Sequence, residues 1–296
     1  MNKIKSSFEL LRLHHWIKNL LVFLPLITAH KYYDLNLVYI VSISFLSFSF
    51  CSSSIYIFND IIDADIDKKH PYKKKRPIPS KNISKKFAII LGLLLLIIGL
   101  VIAINLNKLF LLLIISYILL NFLYSLYLKK IKYVDCFILV GFYILRIFSG
   151  AVVVNLQPSV WLIIFSFFIF LSLALAKRYI ELNDYYKLIE VKIPGRAYSN
   201  NDSRNIFFLG NISSYISVLT LMIYLSSDTV KILYKTPWLV WISIPLLFIW
   251  VKLLWKRSKE RKIHHDPIVY LIKDKFSIVI VILFFLCFIM ANNILL

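Results

Sequence analysis

Three shortages shape the reading of this 296-residue chain. Cysteine is scarce: Cys51, Cys136 and Cys287 all fall within apolar runs, so neither a disulfide framework nor a zinc-ligand spacing is available. Recognisable nucleotide and metal signatures are missing too, with no G-x-G-x-x-G, no P-loop and no zinc motif. Acidic residues are few, 15 against 35 Lys and Arg, and ionic residues of either sign are nearly absent from the long apolar runs. A cleavable signal peptide is not expected, because the first residues are charged and the first apolar run continues into the domain.

What remains is mostly apolar. Hydrophobic residues make up 60% of the chain, beyond the range of a soluble domain. Runs of about 20 apolar residues recur, the length that crosses a bilayer as a helix. Nine such spans are expected, at 16–30, 37–60, 87–105, 108–128, 134–154, 159–179, 205–227, 236–255 and 276–294. The first holds Pro25. The fold class is therefore an all-α polytopic membrane bundle, with residues 1–296 as one domain. A β-barrel fits poorly, since its strands alternate over shorter stretches. Ahead of the spans, Ile4, Phe8, Leu11 and His15 recur at helical spacing and suggest a short interfacial helix.

The net charge of +20 is distributed by side. With the N-terminus in the cytoplasm, that side holds four Lys and Arg up to Lys18, nine in 61–86, three in 129–133, six in 177–204 and eight in 252–275. The opposite side holds Lys31, Lys108, Lys231 and Lys235, and Arg146 lies within a span. This is the positive-inside pattern of an integral protein of a bacterial cytoplasmic membrane. Basic residues spread over loops that border lipid argue against a nucleic-acid partner.

One stretch organises the chemistry: Asn59-Asp60-Ile61-Ile62-Asp63-Ala64-Asp65-Ile66-Asp67. In a continuing helix Asp60, Asp63 and Asp67 share a face, Asn59 lies beside them, and Asp65 falls on the other side. Carboxylates about 6 Å apart at an effective dielectric of about 20 repel by roughly 3 kcal/mol per pair. A divalent cation reverses that sign, and hard oxygen ligands favour Mg²⁺, which bridges to phosphate oxygens. His70-Pro71 is expected to end the acidic helix. Lys73-Lys74-Lys75-Arg76 follows, with Arg76 the expected substrate-facing member of a phosphate clamp.

Other candidates are dispersed. Lys18 snorkels or contacts a phosphate, beside the anchor Trp16. Tyr117, Asn121 and Tyr124 recur at helical spacing, in a packing role or at the polar mouth of an apolar tunnel. Asp135 and Arg146 share a helix face. A buried Arg at mid-membrane needs a partner, either a helix carboxylate or a substrate anion. Lys177 and Glu181 form an i, i+4 pair, beside Arg178. The loop to residue 204, with Arg196-Ala197-Tyr198-Ser199, is a candidate lid, and 256–275 a candidate cap.

The run from Asn59 to Asp67, with His70-Pro71 and Lys75-Arg76-Pro77-Ile78 behind it, resembles the first aspartate-rich motif of the UbiA-type intramembrane prenyltransferases. Typical aromatic prenyltransferases of that superfamily carry a second, DxxxD-like motif after span six. Here Glu181, Asp184 and Asp202 do not reproduce its spacing. Several segments look instead like the decaprenyl-phosphate phosphoribosyltransferase branch: Leu11 to Asn19, Asp135 through Arg146 to Gly150-Ala151, Ala176 to Leu182, and Arg196-x-Tyr198-Ser199. The resemblance implies Mg²⁺ held by Asp60, Asp63 and Asp67 with Asn59. It implies substrate-binding roles for Lys18, Asn59, Arg76, Asp135, Arg146, Lys177, Arg178, Glu181 and Tyr198. The partners it implies are a polyprenyl lipid and a diphosphate-bearing co-substrate. Two rivals stand beside phosphoribosyl transfer. One is prenylation of an aromatic or other small acceptor. The other is a lipid or solute transporter, which the lack of an evident repeat and the one-sided acids disfavour.

Overall fold

A computed structural model describes residues 3–68, 73–185, 197–263 and 266–293, and every regular element among them is helical. Apart from three short 3₁₀ turns, the elements are α1 (Lys3–Leu11), a 3₁₀ segment (Leu13–Phe23), α2 (Leu24–Thr28), α3 (Leu35–Ile62), α4 (Ala64–Asp67), α5 (Lys85–Leu106), α6 (Lys108–Leu126), α7 (Val134–Val153), α8 (Val160–Tyr185), α9 (Ser203–Ser226), α10 (Asp228–Leu233), α11 (Pro237–Val240), α12 (Ser243–Lys259), α13 (Pro267–Lys273) and α14 (Lys275–Asn293). Side-chain caps mark several starts: Asp34 accepts from the amides of Asn36 and Leu37, and Asn107 from those of Leu109 and Phe110, satisfying donors that a helix start leaves open.

Among the described residues, eight of the expected stretches are single helices long and apolar enough to cross a membrane, and the ninth is wound differently. The exception is 16–30. Proline cannot sit inside an α-helix without losing a bond and crowding the carbonyl four residues back. Here Pro25 stands in the first turn of α2, and the chain ahead of it is wound as 3₁₀. Eleven residues at the 3₁₀ rise of roughly 2 Å cover about 22 Å. With α2 added, the stretch still approaches the thickness of the hydrocarbon core, about 30 Å.

The chain falls into two compact units. Unit one comprises Met1–Leu128 and Phe142–Pro158, and unit two Lys129–Gly141 and Ser159–Leu296, so α7 contributes to both.

Unit one is built on α3. One face of α3 meets α5 through small residues: Ser47 Oγ donates to the Gly99 carbonyl at 2.7 Å and Ser54 Oγ to the Gly92 carbonyl at 2.7 Å. Another face meets the N-terminal segment. Asn19 Nδ2 donates to Ser49 Oγ (3.0 Å) and Ser52 Oγ (3.2 Å), Trp16 Nε1 to Ser53 Oγ (2.9 Å), and Ser53 Oγ to the Leu11 carbonyl (2.8 Å). Small residues let helices approach, and each hydroxyl is satisfied away from lipid. The outer face of α5 is the reverse, with Ile90, Leu94, Ile97, Val101 and Ile104 exposed, as hydrocarbon requires.

Gly150 of α7 fixes the 3₁₀ segment. A Cβ there would stand 1.8 Å from the Val22 carbonyl oxygen, so only glycine admits this contact. In unit two α8 packs along α9, and the buried Trp255 of α12 donates its indole N–H to Ser172 Oγ at 3.0 Å. Gly150→Ala is expected to lower stability by about 1–3 kcal/mol, the usual cost of overpacking. Gly141→Ala on the same helix, where nothing lies within 4 Å, should leave stability unchanged or raise it by up to about 1 kcal/mol. Thermal unfolding of the two variants in detergent checks this pair.

Candidate active site

The acidic stretch closes α3 in unit one. The helix does not run straight through it. α3 ends at Ile62, Asp63 is its C-cap, and α4 resumes at Ala64. Two hydrogen bonds carry the winding across the break: Asp63 N to the Asn59 carbonyl (2.9 Å) and Asp67 N to the Asp63 carbonyl (2.8 Å). Asp60 and Asp67 therefore stay on one side. Asp60 is 4% exposed and Asp67 2%. Two buried carboxylates need cationic partners, and two arginines supply them. Arg76 Nη1 lies 2.6 Å from Asp67 Oδ2 and 3.1 Å from Asp60 Oδ1, and Arg12 Nη2 lies 2.5 Å from the same Asp60 oxygen.

Asp65 faces elsewhere. It is exposed and pairs with Lys68 (2.7 Å) and Lys85 (3.6 Å). Its hydrogen bond from Lys68, then the charges of both lysines, hold its carboxyl below the usual range. Asp63 is half-buried and forms no ion pair among the described residues. Asn59 Oδ1 accepts from Ser125 Oγ of α6 at 2.9 Å.

The residues suit a hard divalent ion. The Arg76 nitrogen is a cation standing between two buried carboxylates, so the pair already holds positive charge at that point. Mg²⁺ is commonly bound by one or two carboxylates together with substrate phosphates and waters. Among the described residues, no three His, Cys, Asp or Glu side chains gather closely enough to hold an ion. The ridge of three aspartates expected from spacing is thus a pair, Asp60 and Asp67, with Asp63 at the break. The turn after Ile62 is the reason.

Lys18 is buried in the 3₁₀ segment. Arg146, 3% exposed, lies deeper in unit one. Its Nε donates to Asn19 Oδ1 (2.8 Å), Nη1 to the Phe142 carbonyl (2.5 Å) and Nη2 to Tyr117 Oη (3.1 Å). Its guanidinium carbon lies over the rings of Phe48 (5.1 Å), Tyr117 (5.0 Å) and Tyr143 (5.8 Å). No carboxylate pairs with it among the described residues. Neutral acceptors and π faces of the protein hold this charge, in place of the helix carboxylate that was one of its two expected partners. Eleven residues along a helix separate Asp135 and Arg146 by about 16 Å, so a shared face does not make them a pair.

Unit two gathers four of the expected residues. Asp135, at the start of α7, is fully buried. Its Oδ2 lies 2.5 Å from Arg178 Nε, and its Oδ1 accepts from Tyr198 Oη at 2.5 Å. Tyr198 Oη in turn accepts from the Tyr133 amide (2.7 Å), and Arg178 Nη1 pairs with Glu181. Lys177 reaches Asp266 at 3.5 Å. The expected Lys177–Glu181 pair therefore gives way: the buried guanidinium of Arg178, 1% exposed, takes the carboxylate three residues on.

His70-Pro71, Arg196 and residues 186–196 of the candidate lid lie outside the described residues, as do 264–265 of the candidate cap and the side chain of Lys73. Arg12, Asn19 and Ser125 are the site neighbours that the sequence reading passed over. Arg12 carried a signal: it stands in the run Leu11 to Asn19, and buried acids require nearby cations.

Proteins of similar sequence and fold give the chain's family. The chain is 32% identical over 289 residues to the uncharacterized protein y4nM of Sinorhizobium fredii, which covers 97% of this chain but only 56% of that protein, so it spans just over half the length of that relative. It is 31% identical over 187 residues to the decaprenyl-phosphate phosphoribosyltransferase of Mycolicibacterium smegmatis, covering 61% of this chain and 58% of the relative. Its fold is similar to that of a UbiA homolog from Archaeoglobus fulgidus bound to DMAPP and Mg²⁺, with a TM-score of 0.67, 16% identity, and 98% and 100% of the two chains covered. The UbiA prenyltransferase family matches residues 20–281, which takes in the acidic stretch and all eight apolar helices in whole or part. The chain is an integral membrane protein and belongs to the UbiA prenyltransferase family.

Proposed function

We propose that the protein is a Mg²⁺-dependent membrane transferase that moves a 5-phosphoribosyl group from phosphoribosyl diphosphate to a polyprenyl phosphate. One observation carries the reading: two buried carboxylates, Asp60 and Asp67, converge on a single cationic nitrogen at the end of an apolar helix. The family supports transfer chemistry. The similarity to the Mycolicibacterium enzyme over about 60% of each chain supports the phosphoribosyl donor.

Asp60 and Asp67, with Asp63 and Asn59 beside them, would hold Mg²⁺, whose charge offsets that of the departing diphosphate. Arg76 and Arg12 stand next to those acids and supply guanidinium forks suited to phosphate oxygens. Lys18 adds a cation from the 3₁₀ segment. In the reaction the bond from the anomeric carbon to the diphosphate oxygen breaks. A phosphate oxygen of the lipid forms the new bond to that carbon, and the electron pair leaves with diphosphate. The attacking phosphate already carries charge at neutral pH, so the chain need not supply a strong base. The polyprenyl tail suits the apolar surfaces of the spans. The excess of Lys and Arg in the loops on the same side as the acid cluster supports a cytoplasmic site.

Within unit two, the contacts among Asp135, Arg178, Glu181 and Tyr198 suit a scaffold role, with the buried ion pair fixing the start of α7 against α8. A second reading has one specific support. The Archaeoglobus structure holds a prenyl diphosphate with Mg²⁺, so the same acids could take a prenyl donor for an aromatic or other small acceptor.

Purified protein in lipid should release diphosphate from phosphoribosyl diphosphate only when polyprenyl phosphate is present. Release from a prenyl diphosphate with an aromatic acceptor, and none from phosphoribosyl diphosphate, would overturn the donor assignment in favour of the second reading. Asp67→Asn should lower turnover at least about 100-fold, the scale of losing a principal electrostatic contact, while the protein still folds. Asp65→Asn, on the far side, should leave turnover unchanged. Chelation by EDTA should abolish turnover and added Mg²⁺ restore it.

A further inference from the structure

The arginines that neutralise the acid pair also occupy it. Asp60 Oδ1 accepts from Arg12 (2.5 Å) and Arg76 (3.1 Å) at once, and Asp67 Oδ2 from Arg76 (2.6 Å). Both carboxylates are buried, so water does not compete for them. Taken by themselves, the two acids and the two guanidinium groups carry no net charge. A bare divalent ion reaching the carboxylates must displace both arginines and leaves a cluster with an excess of two positive charges. A diphosphate arriving alone meets the arginines while these are still bound to acids. The two ligands together remove both penalties: the ion takes the carboxylates and the freed guanidinium groups take the phosphate oxygens.

Arg12 is built to make that exchange. It sits at the junction of α1 and the 3₁₀ segment with φ of 51° and ψ of 47°, in the left-handed region, a conformation that costs a non-glycine residue energy. This turn ends α1 and brings the side chain of Arg12 against α3. Its guanidinium carbon lies 5.2 Å from the ring centre of Tyr56, one helical turn before Asp60. The tyrosine face gives the guanidinium a second support that does not depend on the carboxylate. Arg76 is 30% exposed and Arg12 19% by side chain, against 5% and 3% for Asp60 and Asp67. The cations are thus the members of the cluster with room to turn.

We propose that Arg12 and Arg76 couple the two ligands, so that the divalent ion and the diphosphate bind as a pair and each binds weakly without the other. This rests on the metal–diphosphate reading above, and it assigns Arg12 a positioning and diphosphate-binding role. Coupling of this kind is reciprocal: whatever factor diphosphate adds to the ion's affinity, the ion adds to that of diphosphate.

The test is calorimetric titration of full-length protein in lipid nanodiscs with Mn²⁺ alone, inorganic diphosphate alone, and their preformed equimolar complex. The expected result is at least about a 30-fold gain for the complex over either component, within the usual span of such couplings. Arg12→Gln should tighten binding of Mn²⁺ alone, weaken binding of the complex, and so shrink the gain several-fold. Arg12→Lys keeps the charge but loses the fork, and should shrink it less. Lys68→Gln, whose partner is Asp65, should change nothing. Equal affinities for the free ion and the complex, or an Arg12→Gln titration matching wild type, would overturn the coupling and leave the metal–diphosphate site standing. Failure of wild type to bind Mn²⁺ in either form, with Asp67→Asn indistinguishable from it, would overturn both.

Discussion

Two aspartates withdrawn from water at the end of a membrane helix set the terms for the rest of unit one. A buried carboxylate is tolerated only with compensating charge and hydrogen bonds. In this chain the compensation is brought from two directions: Arg76 returns from the basic loop and Arg12 enters from the N-terminal helix. The arrangement is stable as it stands, yet its compensating groups are also the natural ligands of a diphosphate. On the proposed reading, a metal–diphosphate complex would satisfy the same four side chains in a different pairing.

The scaffold that presents the pair follows membrane rules. Small residues on α3 meet glycines on α5 on one side and the 3₁₀ segment on the other, and the hydroxyls of Ser47, Ser53 and Ser54 cap backbone carbonyls across those contacts. The exclusion of any Cβ at Gly150 by the Val22 carbonyl seats the 3₁₀ segment against α7. Asn19 on that segment then links the serines of α3 to Arg146, and through it to Tyr117 of α6. A polar seam thus runs through unit one, with the charge of Arg146 dispersed over π faces and neutral acceptors.

Much of this was legible in the sequence, for identifiable reasons. Long apolar runs have few physical solutions, so the spans were readable from length and composition. The spacing of Asp60 and Asp67 placed them together because the turn at Asp63 interrupts the helix without changing its winding by much, and the same spacing set Asp65 apart. What the spacing could not show was the turn itself, which leaves Asp63 out of the pair. The 3₁₀ winding of residues 13–23 was hidden because its apolar pattern equals that of a helix; only Pro25 hinted at it. Long-range pairings were also out of reach. Asp135 with Arg178, and Arg12 with Asp60, depend on which helices meet. Lys177 and Glu181 have the spacing of a pair, and a better-placed guanidinium overrode it.

The most direct test of the account is to find the ion. Crystals of the protein grown with Mn²⁺ and diphosphate, measured for anomalous scattering, should show a peak within about 2.0–2.3 Å, the reach of a divalent ion's oxygen ligands, of carboxylate oxygens from Asp60 and Asp67. Arg12 and Arg76 should have turned from those acids to the phosphate oxygens. An anomalous peak elsewhere, or none, with both arginines still paired to the acids in the presence of bound diphosphate, would contradict it.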